Sequence, residues 1–177
     1  MPDQPLSADE LLGALRRLGS LLDGRGITAD IYVFGGAAMV MAYRARLATR
    51  DIDAVFVPDS EVLDAAWQVA REREWPRSWL NNQASAYLSR LPDRGRRVVL
   101  DEPGIRVMAA SPEHLLAMKV LAARQIQDAG DIRFLLDLLG LASFDDVQRL
   151  VAEVYPDEPI SDDARLLIED LLAPRRA

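Results

Sequence analysis

The chain has 177 residues, half of them apolar, with a formal net charge of −7 and no cysteine. This size fits a single α/β domain or a small sheet domain with a helical extension, and its core is large enough to fold without disulfides or a structural metal. The missing cysteine excludes thiol catalysis and cysteine-ligated metals, and no apolar stretch approaches the roughly 20 residues of a membrane span. We therefore expect a cytoplasmic protein without a membrane partner. Its acidic balance disfavours bulk binding of DNA or RNA, so any RNA contact must use a local arginine-rich patch.

The first half of the sequence predicts two strands that are joined through a glycine turn and a helix. Ser7 and Glu10 match the capping box that starts a helix, and leucines then recur at helical spacing. The apolar and β-branched runs that follow are typical of short buried strands. The predicted elements in this half are a helix from Ser7 to Leu22, a strand at 31–34, the turn Gly35-Gly36, a helix at 37–46, a strand at 51–57 and a helix from Ser60 to Glu74.

The second half predicts a hairpin and then helices only. Trp75, Trp79, Leu80 and Tyr87 have the character of core residues, and a short helix is expected after Asn82. The elements predicted beyond them are strands at 97–100 and 105–109 joined by a turn, then helices at 111–126, 128–139, 143–154 and 161–172. The expected fold is α/β (α+β). Residues 1–110 would form a small mixed sheet with flanking helices, and residues 111–177 a C-terminal helical bundle packed on it.

The turn Phe34-Gly35-Gly36-Ala37 is the first candidate for chemistry. It lies between a predicted strand and a predicted helix, where backbone N–H groups at the helix start form an anion site. Glycine lets a phosphate approach the backbone closely. In isolation, however, such a glycine pair also serves simply to turn or pack the chain.

Asp51-Ile52-Asp53 is the second candidate, on the strand after the glycine-turn helix. Strand side chains alternate, so both carboxylates are expected on one side of the sheet and Ile52 in the core on the other. Two carboxylates on one face suit a magnesium ion that also takes phosphate oxygens. A solvent-facing strand with two acids is the simpler alternative, but acids are poor strand formers and repel each other when close.

These residues carry a resemblance to known families. Gly35-Gly36, a helix and then Asp51-Ile52-Asp53 resemble the signature of the nucleotidyltransferase superfamily related to polymerase beta. The chain is also similar to a poorly characterised bacterial family of nucleotidyltransferase-like proteins, in which a stretch like Trp79-Leu80-Asn81 recurs. The chain also resembles the AbiEii-type toxin transferases. This likeness lies in the run from Ala110 to Lys119 and in Ala122, Arg124, Asp128 and Asp131-Ile132. The resemblance covers most of the chain, from Ile27 to Val154, and implies a sheet of nucleotidyltransferase type.

The resemblance implies transfer of a nucleotide from a nucleoside triphosphate to an acceptor, with Asp51 and Asp53 holding Mg²⁺. In related mycobacterial toxins the acceptor is the end of tRNA, so the resemblance also implies a tRNA acceptor and an antitoxin partner. By position, Lys119 matches a lysine that contacts phosphate and Asp131 an acid that orients it, with Asp128 competing for that role. The implied catalytic residues are Asp51, Asp53, Lys119 and Asp131, and the implied nucleotide-binding residues are Gly35, Gly36, Ala37, Arg50, Lys119, Arg124 and Asp128.

Two departures from the family pattern keep other interpretations open. A serine commonly follows the first glycine, whereas Gly36 and Ala37 leave only backbone donors here. A third carboxylate on a neighbouring strand is not evident either, since the candidate Asp101 reads more simply as a turn residue. The alternatives are a catalytically silent relative that binds a nucleotide or a partner protein, and a transferase that acts on a small-molecule hydroxyl.

Overall fold

The described residues form helices, a five-stranded mixed sheet and a separate two-stranded pair, so the fold is α+β. The structure is a computed structural model that describes residues 5–122 and 128–173. It divides into two units. The sheet unit takes the described residues of 1–86 and 96–110, and the helical unit takes those of 87–95 and 111–177.

The sheet unit has five strands in one mixed sheet and two in a separate short pair. The strands are β1 (Leu6–Ser7), β2 (Ala29–Phe34), β3 (Ala48–Thr49), β4 (Ile52–Val57), β5 (Leu80–Asn81), β6 (Arg97–Glu102) and β7 (Ile105–Ala109). The larger sheet has the order β5-β4-β2-β7-β6, and β1 pairs only with β3. Strand β2 is antiparallel to β4 and parallel to β7, while β4 is parallel to β5. Strands β4 and β2 therefore each pair with a neighbouring strand on both sides.

Three helices cover this sheet: α1 (Ala8–Asp23), α2 (Gly35–Met41) and α3 (Asp59–Arg73). The capping box predicted at Ser7 and Glu10 is confirmed, because each side chain bonds the backbone N–H of the other. Helix α1 approaches the β6–β7 turn very closely, since a Cβ on Gly104 would lie 2.2 Å from the carbonyl oxygen of Gly19. Helix α2 is made of small and apolar residues, and five of its seven side-chain positions are buried.

Four helices form the helical unit: α4 (Pro112–Ala122), α5 (Ala129–Leu139), α6 (Phe144–Val154) and α7 (Asp162–Leu172). Helix α4 packs on α5 and α6, and α7 packs on the same two helices. The segment 87–95 is fastened to this bundle by the Tyr155 hydroxyl, which donates to the Tyr87 carbonyl at 2.8 Å. Asp93 adds a second fastening, since its carboxylate accepts from the backbone N–H of Ser111 at 2.8 Å.

Most of the predicted elements are present, and the exceptions have local causes. The hairpin of β6 and β7 is antiparallel as predicted, and the predicted bundle helices are present within one residue of their expected starts. The second helix was predicted to reach residue 46 but ends at Met41, and the left-handed φ of 51° at Arg44 is incompatible with a helix that continues to residue 46. Residues 123–126 of the first predicted bundle helix lie outside the described residues.

The segment 75–91 departs furthest from the prediction. Trp79 and Leu80 are buried as expected, but Tyr87 is 73% exposed and is not a core residue. The short helix expected after Asn82 is a 3-10 helix, Gln83–Tyr87. Strand β5 was not predicted, because two residues are too few to show a period.

Within residues 5–122 and 128–173, no helix combines the length and the apolar character that crossing a bilayer requires.

Candidate active site

The fold brings the glycine turn against one of the two predicted metal ligands. The antiparallel register of β2 and β4 sets Phe34 opposite Asp53, so the chain turns at Gly35 directly beside that carboxylate. A Cβ on Gly35 would lie 3.4 Å from Asp53 Oδ2. Gly35 also has a left-handed φ of 62°, which side chains rarely adopt. The backbone angle therefore favours glycine here, and the Asp53 carboxylate lies within ordinary contact distance of the turn.

Strand β4 separates the two acids from the core as its alternation requires. Ile52 and Ala54 are fully buried, whereas Asp51 and Asp53 are half-buried. The strand begins at Ile52, one residue later than predicted, so Asp51 precedes it. The two carboxylates therefore flank a core residue at the N-terminal end of a central strand.

Asn81 is a third polar residue at this place, and no site role was predicted for it. It lies on β5, where the parallel register makes it the direct partner of Asp53. Its Nδ2 donates to Asp51 Oδ2 at 3.3 Å, and its side chain is buried. The neighbouring strand thus places a neutral amide beside the acid pair.

The sequence Trp79-Leu80-Asn81 has a structural explanation in this arrangement. Trp79 is fully buried and donates from its indole N–H to the Ala66 carbonyl of α3 at 2.9 Å. Leu80 is buried and is the register partner of Ile52. The tryptophan and the leucine anchor strand β5, and this places the Asn81 side chain beside Asp51. The resemblance of Trp79-Leu80-Asn81 to a family motif was the sequence signal that could have pointed to Asn81.

Thr49 supplies a hydroxyl at the glycine turn, where the sequence had suggested backbone donors alone. A Cβ on Gly36 would lie 2.9 Å from Thr49 Oγ1 and 3.7 Å from Arg46 Nη1. Thr49 therefore occupies the space that a serine at position 36 would need. A hydroxyl and a guanidinium lie beside the turn, and both come from the segment that leads into β4.

The electrostatics of Asp51 follow from its surroundings. Burial raises the pKa of the Asp51 carboxyl, and this effect exceeds the opposing effects of the Asn81 hydrogen bond and the Arg50 charge. A partly desolvated carboxylate gains more than an exposed one from a cation, because it has fewer waters to lose. Arg50 itself is exposed, and its charge acts on Asp51.

The donor set fits a divalent cation that also binds phosphate. Asp51 and Asp53 are hard oxygen donors, and magnesium uses one or two carboxylates together with phosphate oxygens and water. Among the described residues, no group of three or more histidine, cysteine, aspartate or glutamate side chains is arranged to hold a metal. Any cation here would therefore take two carboxylates from the chain and its remaining ligands from the substrate and water.

In the helical unit, Lys119 lies in a buried ionic cluster with Asp128 and Asp131. The family resemblance implied the same role, orienting this lysine, for either acid. Its Nζ is 2.8 Å from Asp128 Oδ1 and 2.7 Å from Asp131 Oδ2. The side chains of Lys119 and Asp131 are 9% and 4% exposed. The anions that Lys119 faces here are therefore carboxylates of the chain itself.

The remaining predicted residues have different surroundings. Ala37 has a buried side chain, so only its backbone is available to a ligand. Arg124 lies outside the described residues. Asp101 is not near the acid pair, because β6 is separated from β4 by two strands, and it faces Arg106 at 3.6 Å with its side chain exposed. Asp101 therefore does not serve as a third acid.

Comparison with known protein families gives a match over most of the chain. A family model described as a nucleotidyltransferase of unknown function, DUF6036, matches residues 10–165. Neither the curated proteins nor the solved structures include a significant match.

Proposed function

We propose, since this chain belongs to the DUF6036 family of nucleotidyltransferases of unknown function, that it is a magnesium-dependent enzyme that transfers a nucleotidyl group from a nucleoside triphosphate. One observation carries this proposal: the glycine turn at Gly35 and the carboxylate of Asp53 lie side by side, with Asp51 directly before the same strand. A glycine turn that lets phosphate approach the backbone next to two acids is the arrangement that a metal-bound triphosphate needs.

In this proposal, different residues of the chain would bind the cation and the phosphates. Asp51 and Asp53 would hold the cation, and Thr49 and Arg46 would donate to phosphate oxygens at the Gly36 turn. When bound, magnesium would neutralise the charge that builds up on the phosphates. The acceptor hydroxyl would attack the α-phosphorus, and the bond from that phosphorus to the oxygen of pyrophosphate would break. Positioning and charge stabilisation would thus provide most of the catalysis.

The direct test is pyrophosphate release. The protein would be incubated with each of the four ribonucleoside triphosphates and magnesium, with and without bulk tRNA as acceptor. We expect release with at least one triphosphate, and we expect Asp53→Asn to abolish it. Asp30→Asn is the matched control, because Asp30 is an exposed acid on the adjacent strand β2 and its register partner is Val57, at the far end of β4 from Asp53. Release that persists in Asp53→Asn would reject the proposal.

The AbiEii-type likeness of residues 110–132 supports a more specific version. In this version the acceptor is tRNA, the protein is a toxin that acts in the cytoplasm, and a separate antitoxin partner neutralises it. Lys119 and Asp131 would then act on the triphosphate as the corresponding family residues do. Transfer of labelled nucleotide to tRNA, and its loss on adding the product of a neighbouring gene, would test the acceptor and the partner separately.

A catalytically silent relative is the second candidate, and Asn81 favours it. The amide stands on the neighbouring strand beside the acid pair, where a carboxylate would add a third metal ligand. A site with two acids can bind a metal and a triphosphate without promoting transfer. Tight, magnesium-dependent triphosphate binding with no pyrophosphate release over long incubation, with tRNA and with small-molecule hydroxyl acceptors, would establish this alternative.

A further inference from the structure

We propose that Asn81 is a positioning residue that holds the carboxylate of Asp51 ready for a divalent cation. The inference rests on the proposed function only for the identity of the cation site. It is otherwise drawn from the contacts of the Asn81 amide, which all lie within the sheet unit.

The orientation of the Asn81 amide is set by two backbone groups. Its oxygen accepts from the backbone N–H of Gln83 at 3.1 Å, and its nitrogen donates to the Ser78 carbonyl at 3.3 Å. An amide turned the other way would set its nitrogen against an N–H and its oxygen against a carbonyl, which loses both bonds. The second N–H of Asn81 is therefore always directed at Asp51.

The contact fixes one oxygen of the Asp51 carboxylate. Nδ2 of Asn81 bonds Oδ2 of Asp51 at 3.3 Å, which holds the carboxyl plane and leaves the other oxygen to a cation. Asp51 precedes β4 and so has no strand pairing of its own to restrain its side chain. Without Asn81, the carboxylate would rotate between several staggered positions and lose this order on binding.

An aspartate at position 81 could not do the same work. The oxygen that replaces Nδ2 would face both the Ser78 carbonyl and the Asp51 carboxylate with no N–H to offer, and like charges at that distance repel. The neutral amide is thus specifically suited to orient a neighbouring acid. Residues that orient a metal ligand in this way typically raise metal affinity by about 10-fold to 100-fold.

Mn²⁺ binding to the intact protein, measured by electron paramagnetic resonance of the free ion, tests this inference without an activity assay. We expect Asn81→Ala to bind Mn²⁺ at least about 10-fold more weakly than the wild type. Asn82→Ala is the matched control, because Asn82 is the next residue and its amide bonds Asp59 Oδ1 instead of Asp51. That variant should bind as the wild type does. Asp51→Asn should lose binding.

The outcomes separate this inference from the proposed function. Asn81→Ala that binds Mn²⁺ like the wild type, beside an Asp51→Asn that does not, would overturn the role of Asn81 and leave the cation site intact. A wild type that binds no Mn²⁺, even with a triphosphate, would overturn both.

A second measurement covers the case in which Asn81→Ala fails to fold. The side-chain amide resonances of the wild type, followed by NMR during a Mg²⁺ titration, should shift for Asn81 and stay in place for Asn82. Asn81 resonances that do not move at saturating Mg²⁺ would overturn the inference.

Discussion

Lys119 Nζ and Asp131 Oδ2 are 2.7 Å apart, and both side chains are almost completely buried. The same ammonium also contacts Asp128 at 2.8 Å, so it bridges two acids. Such a cluster stabilises only while it is complete, because each charge has given up its water. The cluster therefore makes position 119 important for the stability of the bundle as well as for any ligand.

Replacing Lys119 by Met should destabilise the protein by about 3–5 kcal/mol, because a buried and a partly buried carboxylate would both lose this ammonium. Urea unfolding at pH 7 would measure this change. Adding Asp131→Asn to the Lys119→Met variant should recover part of the loss. A Lys119→Met variant as stable as the wild type would show that water reaches the two carboxylates freely.

Asp51→Asn and Asp53→Asn should each raise the melting temperature of the metal-free protein at pH 7 or leave it unchanged. Burial raises the pKa of Asp51, so the folded state holds this proton more tightly than the unfolded state does. The stability that the group contributes is therefore complete below the unfolded pKa and is lost as the pH rises through the higher folded pKa. At pH 7 the ionised carboxylate costs stability, and Mg²⁺ with a triphosphate should restore it in the wild type alone.

Melting curves of these two variants, of Asp30→Asn and of the wild type, each with and without both ligands, would check this expectation. The rise in the wild-type melting temperature on adding both ligands should also become smaller as the pH drops through the raised pKa of Asp51, because protonation removes a cation ligand. Variants that melt lower than a wild type insensitive to both ligands would rule out the metal clamp.

Thr49→Val should weaken triphosphate binding about threefold to tenfold, the effect of one lost hydrogen bond, and leave the melting temperature nearly unchanged. The valine keeps the branched shape beside Gly36 and removes only the hydroxyl. Thr28→Val is the control, because Thr28 is exposed and just precedes β2. Calorimetric titration with a non-hydrolysable triphosphate would measure the affinities.

An exchange of the hydroxyl between positions 36 and 49 gives a sharper version of this experiment. Gly36→Ser alone should disturb the turn, since its Cβ would lie 2.9 Å from Thr49 Oγ1. Gly36→Ser combined with Thr49→Ala removes that clash and returns a hydroxyl to the turn. The double variant should bind the triphosphate more tightly than either single variant, and failure to do so would argue against a phosphate contact at this place.

Tyr155→Phe should destabilise the helical unit by about 1 kcal/mol at pH 7, because the Tyr87 carbonyl loses its donor. Burial raises the pKa of Tyr155 to about 12. The stability linked to its proton is therefore complete below the ordinary tyrosine pKa and is lost as the pH rises toward about 12. Chemical unfolding of both proteins between pH 8 and pH 12 should show their difference shrinking; a constant difference would contradict the hydrogen bond.

The elements with strong periodic or capping signals could be predicted from the sequence. The helix after Ser7, the hairpin of β6 and β7 and the four bundle helices each carry a cap, a turn or an apolar face that local chemistry determines. Strand alternation alone also predicts that Ile52 is buried in the core while Asp51 and Asp53 are not. These features depend on residues that are close in sequence.

The partners of the site could not be predicted, because they depend on strand order. Asn81 reaches Asp51 only because β5 pairs in parallel with β4, and a two-residue strand has no readable period. Thr49 reaches Gly36 only because α2 ends early and the chain folds back through Arg44. The sequence contained both residues but no local signal for the distance between them.

Strand β5 is two residues long and is the outermost strand of its sheet on the side of β4. An edge strand this short opens by local fluctuation more readily than the strands behind it, even when a buried indole such as Trp79 anchors it. Opening would carry Asn81 away from Asp51 and leave β2, β4 and β7 intact. The temperature at which the site loses its geometry would then be set by fraying of this edge strand and not by global unfolding. Amide hydrogen exchange should be faster at Leu80 than at Val33.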